Sequence, residues 1–210
     1  ASLAGSVDAA QLLLEKGAEV DRATEDGRTS LYIACEKGHV KVARLLLDNG
    51  AAVNRKVEKG RWKGATPLFS ACYNGHVDAA RLLLDKGAEV DRALKNGETP
   101  LFIACYKGHV DAARLMLDKG ADVDRAEKGG MSPLHVACQN GHVDVVRLLL
   151  ERGSENRAEK RGMTPLDIAK RRRHDAVVEL LEGHLYPLLA ASKAGDVDAI
   201  TRLLDGGAAV

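Results

Sequence analysis

The sequence predicts an all-α solenoid: short helix-turn-helix units stacked side by side, joined by finger loops built on β-turns or short hairpins. Three observations predict it. A segment Ala-Cys-x-x-Gly-His recurs with its cysteines at Cys35, Cys72, Cys105 and Cys138, in steps of 37, 33 and 33 residues. A hydroxyl residue recurs in step, at Thr29, Thr66, Thr99, Ser132 and Thr164, and the last four precede a proline. The apolar share is 45% but the aromatic share only 3%, so the packing mass is Leu, Ala and Val, suited to many short helices in close contact. A fixed period of this length marks units that cannot bury their own apolar faces and must stack on neighbours.

The elements follow in order from local chemistry. A hydroxyl N-cap followed by proline at the first helical position opens the first helix of a unit at Pro67, Pro100, Pro133 and Pro165. Pro187 opens another without the hydroxyl, so all five prolines of the chain start helices. The glycine of each Gly-His pair closes that helix, because glycine takes the left-handed conformation cheaply. The second helix is predicted over, for example, Val77 to Asp85, with Leu82, Leu83 and Leu84 on its buried side. Gly50, Gly87, Gly120 and Gly153 close these second helices, and polar loops such as 88–97 lead on. Every helix is shorter than the roughly 12–15 residues needed for stability in isolation, so packing must hold it.

Residues 75–93 and 108–126 differ only at Leu83 versus Met116 and Glu89 versus Asp122. The shared unit, Thr-Pro-Leu-Phe-x-Ala-Cys-x-x-Gly-His-Val-Asp-x-x-Arg-Leu-Leu-Leu-Asp-x-Gly-Ala-x-Val, resembles the ankyrin repeat, and its 33-residue step is also that family's period. On that footing the chain divides into a partial repeat at 1–23, five repeats across 24–184, and a further ankyrin-like helix pair at 185–210 expected to stack on the array. The ragged ends resemble cuts through a longer array. A consensus design is the weaker alternative, since the repeats carry an insertion, a deletion near Gly153 and an irregular tail.

The breaks in the pattern are informative. Four extra residues between Gly50 and Thr66 lengthen one finger and place the only tryptophan, Trp62, on it. Its basic flank (Arg55, Lys56, Lys59, Arg61 and Lys63 against Glu58) suggests an acidic patch on a partner. Lys170-Arg171-Arg172-Arg173-His174 stands where other repeats carry Cys-x-x-Gly-His, and reads as the solvated face of a capping repeat. The last pair opens only 22 residues after its predecessor, Pro165 to Pro187, which predicts an irregular join or hinge.

Several function classes are disfavoured. A net charge of +1 argues against a protein built to hold nucleic acid. No run approaches 18 apolar residues, and no signal peptide is visible at the start; a cytoplasmic location, with the nucleus as the second choice, is the expectation. Cysteines in successive repeats lie on helices about 8–10 Å apart, too far to share a tetrahedral metal or a disulfide. The cysteines therefore read as small core residues and the histidines as loop braces, with no metal and no cofactor. Phosphate-loop, nucleophile-elbow and zinc-protease motifs are absent, so no enzyme is expected.

The ankyrin resemblance implies a partner protein docked on the concave side, through finger tips and first helices. Tip positions include Lys95, Lys128, Met131, Arg161 and Met163. The two residues before each Gly-His are Glu36 and Lys37, Tyr73 and Asn74, Tyr106 and Lys107, and Gln139 and Asn140. The residue after the opening Leu (Tyr32, Phe69, Phe102 and His135) also lies near the groove, and Phe69 and Phe102 divide evenly between core and contact. Six of the seven aromatics fall at these positions or on the long finger, as Trp62 does, although Trp62 could also fold back on its own loop. Aromatics of this kind dominate interface hot spots. The expected function is a protein-interaction scaffold, a monomer or weakly self-associating through its ends. The alternative is the substrate-recruiting segment of a larger multidomain enzyme.

Overall fold

A computed structural model of the chain describes residues 1–2, 4–60 and 62–206, apart from the side chains of Leu188 and Leu189. Thirteen α-helices and no strand are found among the described residues. After α1 (Val7–Glu15) come pairs of an inner and an outer helix: α2 (Ser30–Glu36) and α3 (Val40–Asp48), α4 (Pro67–Tyr73) and α5 (Val77–Asp85), α6 (Pro100–Lys107) and α7 (Val110–Asp118). They continue as α8 (Pro133–Asn140) and α9 (Val143–Glu151), α10 (Pro165–Arg172) and α11 (Asp175–Leu185), α12 (Pro187–Ala194) and α13 (Val197–Asp205). Inner helices α2, α4, α6, α8 and α10 pack in succession, as do outer helices α1, α3, α5, α7, α9 and α11. This is the stacked solenoid that the period predicts.

The caps form as the sequence pattern requires. Thr29, Thr66 and Thr99 accept from the backbone N–H three residues on at 3.1–3.2 Å. Ser132 and Thr164 complete reciprocal capping boxes with His135 and Asp167. Thr164 also pulls the Asp167 carboxyl below its ordinary range by donating to it. One continuous core runs through the array, with Leu68, Leu83, Leu101, Met116, Leu134 and Leu149 fully buried in it.

Three ladders tie one repeat to the next. His76, His109, His142 and His174 each reach back with Nε2 to a first-helix carbonyl of the preceding repeat, at 3.1–3.2 Å. A carbonyl only accepts, so each Nε2 carries the proton and donates. On the outer side, Asp48–Lys86, Asp85–Lys119 and Asp118–Arg152 pair at 2.7–3.0 Å. In the fingers, Asp21, Asn54, Asp91 and Asp124 each accept from a backbone N–H of the following finger.

The histidine ladder explains the Gly-His pair more fully than helix closure does. A Cβ on Gly108, whose φ is +76°, would stand 2.7 Å from Nδ1 of His142. The glycine is therefore both a left-handed cap and the slot into which the next repeat's imidazole fits. The same close approach recurs at Gly38 with His76 and at Gly75 with His109.

Regularity ends at Arg173, the one non-glycine residue with positive φ (60°) among those described. Helix α12 lies against α11 and α13. Lys170 of α10 and Lys193 of α12 both pair with Glu182 of α11, at 2.9 and 3.4 Å. No residue of α13 is buried, and its Val197 and Leu204 face solvent.

Candidate protein-binding face

The last turn of each of α2, α4, α6 and α8 carries half-buried or exposed side chains, in contrast to the buried turns before it. Tyr73 ends α4, and the long finger folds over it. Val57 and Ala65 pair across that finger (N–H to carbonyl, 2.9 Å), which returns Trp62 onto its own repeat. The Trp62 ring meets Tyr73 edge-on at 4.8 Å between centroids and Phe69 at 6.4 Å. From the next repeat, the Lys107 ammonium lies over Tyr73 at 4.3 Å and 5.7 Å from the Tyr106 ring. Trp62, Tyr73, Lys107 and Tyr106 thus form one continuous strip across two repeats, with Tyr106 40% exposed.

Only some of the sequence-predicted residues come together at this strip. Tyr73, Tyr106, Lys107 and the half-buried Trp62 form the strip. Glu36 and Asn74 flank it, lining with Tyr32, Trp62, Phe69 and Tyr73 a small cavity of about 30 Å³. Glu36 also pairs with Arg28 at 3.3 Å, and the Asn74 amide donates to the Ser70 carbonyl, as Asn140 does to Val136. Lys37, Lys95 and Lys128 are exposed apart from the strip, on a helix end and on finger tips. Arg61 lies outside the described residues.

Tyr32, Phe69 and Phe102 require correction as contact residues. They are 3%, 1% and 4% exposed and belong to the core. Each is the residue whose backbone N–H bonds the N-cap hydroxyl. The Tyr32 side chain reaches Ser70 of the next inner helix, and the Phe69 ring lies against Trp62. Burial accordingly raises the Tyr32 phenol above its ordinary range.

The cysteines and His135 belong to the interior as well. All four thiols are free and buried, and burial raises each, to about 12 for Cys72 and Cys138. His135 is 2% exposed, and its Nδ1 accepts from the Ser132 N–H at 3.1 Å. Burial holds this imidazole below its ordinary value.

One arrangement is not apparent from the tip positions alone. Arg161 and Met163 of the last finger, Met131 of the one before, Gln139 of α8 and Arg171 and Arg172 of α10 line a single cavity of about 480 Å³. A register signal points to it: Arg171 and Arg172 occupy in the fifth repeat the places that Tyr73 and Asn74 hold in the second.

A family model for ankyrin repeats in three copies matches residues 1–57 and 54–127, and one for ankyrin repeats in many copies matches 116–169. The chain belongs to the ankyrin-repeat family. Ankyrin repeats are in general protein–protein interaction modules. No curated protein matches the chain. None of the described helices is long and apolar enough to cross a membrane.

Proposed function

We propose that this ankyrin array is a scaffold, without catalysis of its own, that holds a partner protein against its inner-helix edge. The observation that carries the reading is the strip Trp62–Tyr73–Lys107–Tyr106. Two tyrosines and a tryptophan, pre-set by their own packing and bridged by a cation, form a rigid patch that loses little side-chain entropy on binding. In this reading residues 1–184 form the binding array, and the pair at 185–210 is an added unit on it.

Affinity capture from the source cell, wild type against Trp62→Ala/Tyr73→Ala/Tyr106→Ala, tests the reading. Loss of one hot-spot residue costs about 2 kcal/mol, roughly thirtyfold in affinity, so the triple variant captures none of the wild type's partners. Trp62 also packs on Phe69, so Tyr106→Ala with Lys107→Glu serves as a second variant confined to the surface. A partner retained by both variants overturns the assigned face.

A further inference from the structure

The cavity between the last two fingers is chemically unlike the aromatic strip. Its apolar wall is Met131, Met163 and Ile168, and its rim carries the Arg161, Arg171 and Arg172 guanidiniums. No described carboxylate lies within ion-pair distance of these three arginines. Their neighbours differ: Lys170 is paired with Glu182, and Arg152 with Asp118. Among the described residues, the one side-chain hydrogen bond of the three runs from Arg171 Nη1 to the Met163 sulfur, at 3.7 Å.

Two carboxylates also line the cavity, and both are committed to their own fingers. Glu127 accepts from the Gly129 and Met131 N–H groups at 2.7 and 3.1 Å. Glu159, only 8% exposed, accepts from the Arg161 N–H at 2.8 Å through Oε2, while its Oε1 has no partner. That oxygen is closed to solvent and the carboxylate's charge acts on the buried His135, so neither glutamate competes for the arginines.

We propose that this cavity is a specificity subsite for a peptide segment in which an aspartate or glutamate adjoins an aliphatic residue. The carboxylate takes the arginine fork and the aliphatic side chain lies on the two methionines. Arginine suits this role because its planar fork matches a carboxylate in two parallel bonds, and methionine adapts to varied aliphatic shapes. Three arginines against two glutamates leave the lining at a formal charge of +1. A single carboxylate neutralises that, whereas a phosphate of charge about −2 overshoots it and faces both glutamates. The subsite rests on the scaffold reading and would fix which partner that scaffold accepts.

The test is selection of a random dodecapeptide phage library on the full chain, followed by titration of the enriched peptides by fluorescence anisotropy. The expected result is an acidic–aliphatic pair in the enriched set. Binding should fall at least tenfold in Arg161→Gln/Arg171→Gln/Arg172→Gln, persist in Arg81→Gln/Arg114→Gln/Arg147→Gln, which removes the same charge from exposed positions on the outer helices, and weaken with salt. All three arginines are exposed, so an unchanged thermal melt of the variant is expected and excludes misfolding. Enrichment without an acidic residue, indifference to the arginine variant, or no enrichment at all overturns the subsite. Tighter binding of a phosphoserine version overturns the choice of carboxylate. If the arginine variant still captures the cellular partner while the aromatic variants do not, the subsite fails and the scaffold stands.

Discussion

The middle of the array and its C-terminal end use nearly the same motif with different results. From Thr66 to Gly153 each first helix carries a buried cysteine and ends in a glycine slot that receives the next repeat's histidine. In the fifth repeat Lys170 replaces the cysteine and Arg173 the glycine, and in the last pair Ser192 and Asp196 stand where cysteine and histidine would. The middle stacks inner helix on inner helix, whereas α12 leans on α11. Sharing a helix-pair pattern is thus not enough for register; the slot and its imidazole must both be present. The C-terminal end keeps the helices and loses the lock.

The largest expected difference between the two regions is in alkali. Burial raises the Cys72 thiol from its ordinary 9.0 to about 12. Above the ordinary value the unfolded chain has released the proton and the folded one has not, so stability falls as pH rises from about 9 toward 12. Each such thiol contributes a slope of up to about 1.4 kcal/mol per pH unit across that window. Urea melts at pH 8 and pH 10 should therefore show several kcal/mol lost overall. Replacing all four cysteines by alanine should flatten the profile, since Lys170 and Ser192 leave no buried thiol at the end. A profile unchanged by the replacement would mean that alkali acts elsewhere.

The glycine slots give the second contrast. Gly108→Ala places a methyl 2.7 Å from the His142 ring at a positive φ, and should cost about 3 kcal/mol from left-handed strain and overpacking together. Gly195 has nearly the same φ, +69°, but nothing within 4 Å of an added Cβ, so Gly195→Ala should cost only about 1 kcal/mol. Equal losses in the two urea midpoints would remove the slot from the account of register.

Much of this was legible from spacing. Hydroxyl caps, prolines and glycines are local signals, and they placed α5 at Val77–Asp85 residue for residue. What stayed hidden was anything set by the neighbouring repeat. The imidazole's hydrogen bond joins residues 35–40 positions apart, and a single repeat does not reveal that the glycine is vacant for a neighbour's side chain. Phe69 and Phe102 are ambiguous in the sequence because the period assigns a position, whereas burial depends on what the rest of the array places against it. Trp62 was readable as a finger residue, but its fold back onto Tyr73 depends on the Val57–Ala65 pairing. Arg171 and Arg172 are exposed, as a solvated cap requires, and only their register with Tyr73 and Asn74 points to the cavity that they line.

The smallest effect sharpens the comparison most. Arg173 is held at φ 60°, a conformation that costs a side-chain residue about 1 kcal/mol, so Arg173→Gly should raise stability by about that amount. His174 still donates to the Gln139 carbonyl at 3.1 Å, so the lock between the fourth and fifth repeats is unaffected. The substitution empties a slot, yet Asp196 supplies no imidazole to fill it, and Pro187 follows Pro165 by only 22 residues, too few to include a finger. Hydrogen exchange in α12 and α13 should therefore stay as fast in Arg173→Gly as in the wild type while the melt moves up. Slower exchange there would mean that the arginine side chain alone keeps the last pair out of register, and that the missing finger does not matter.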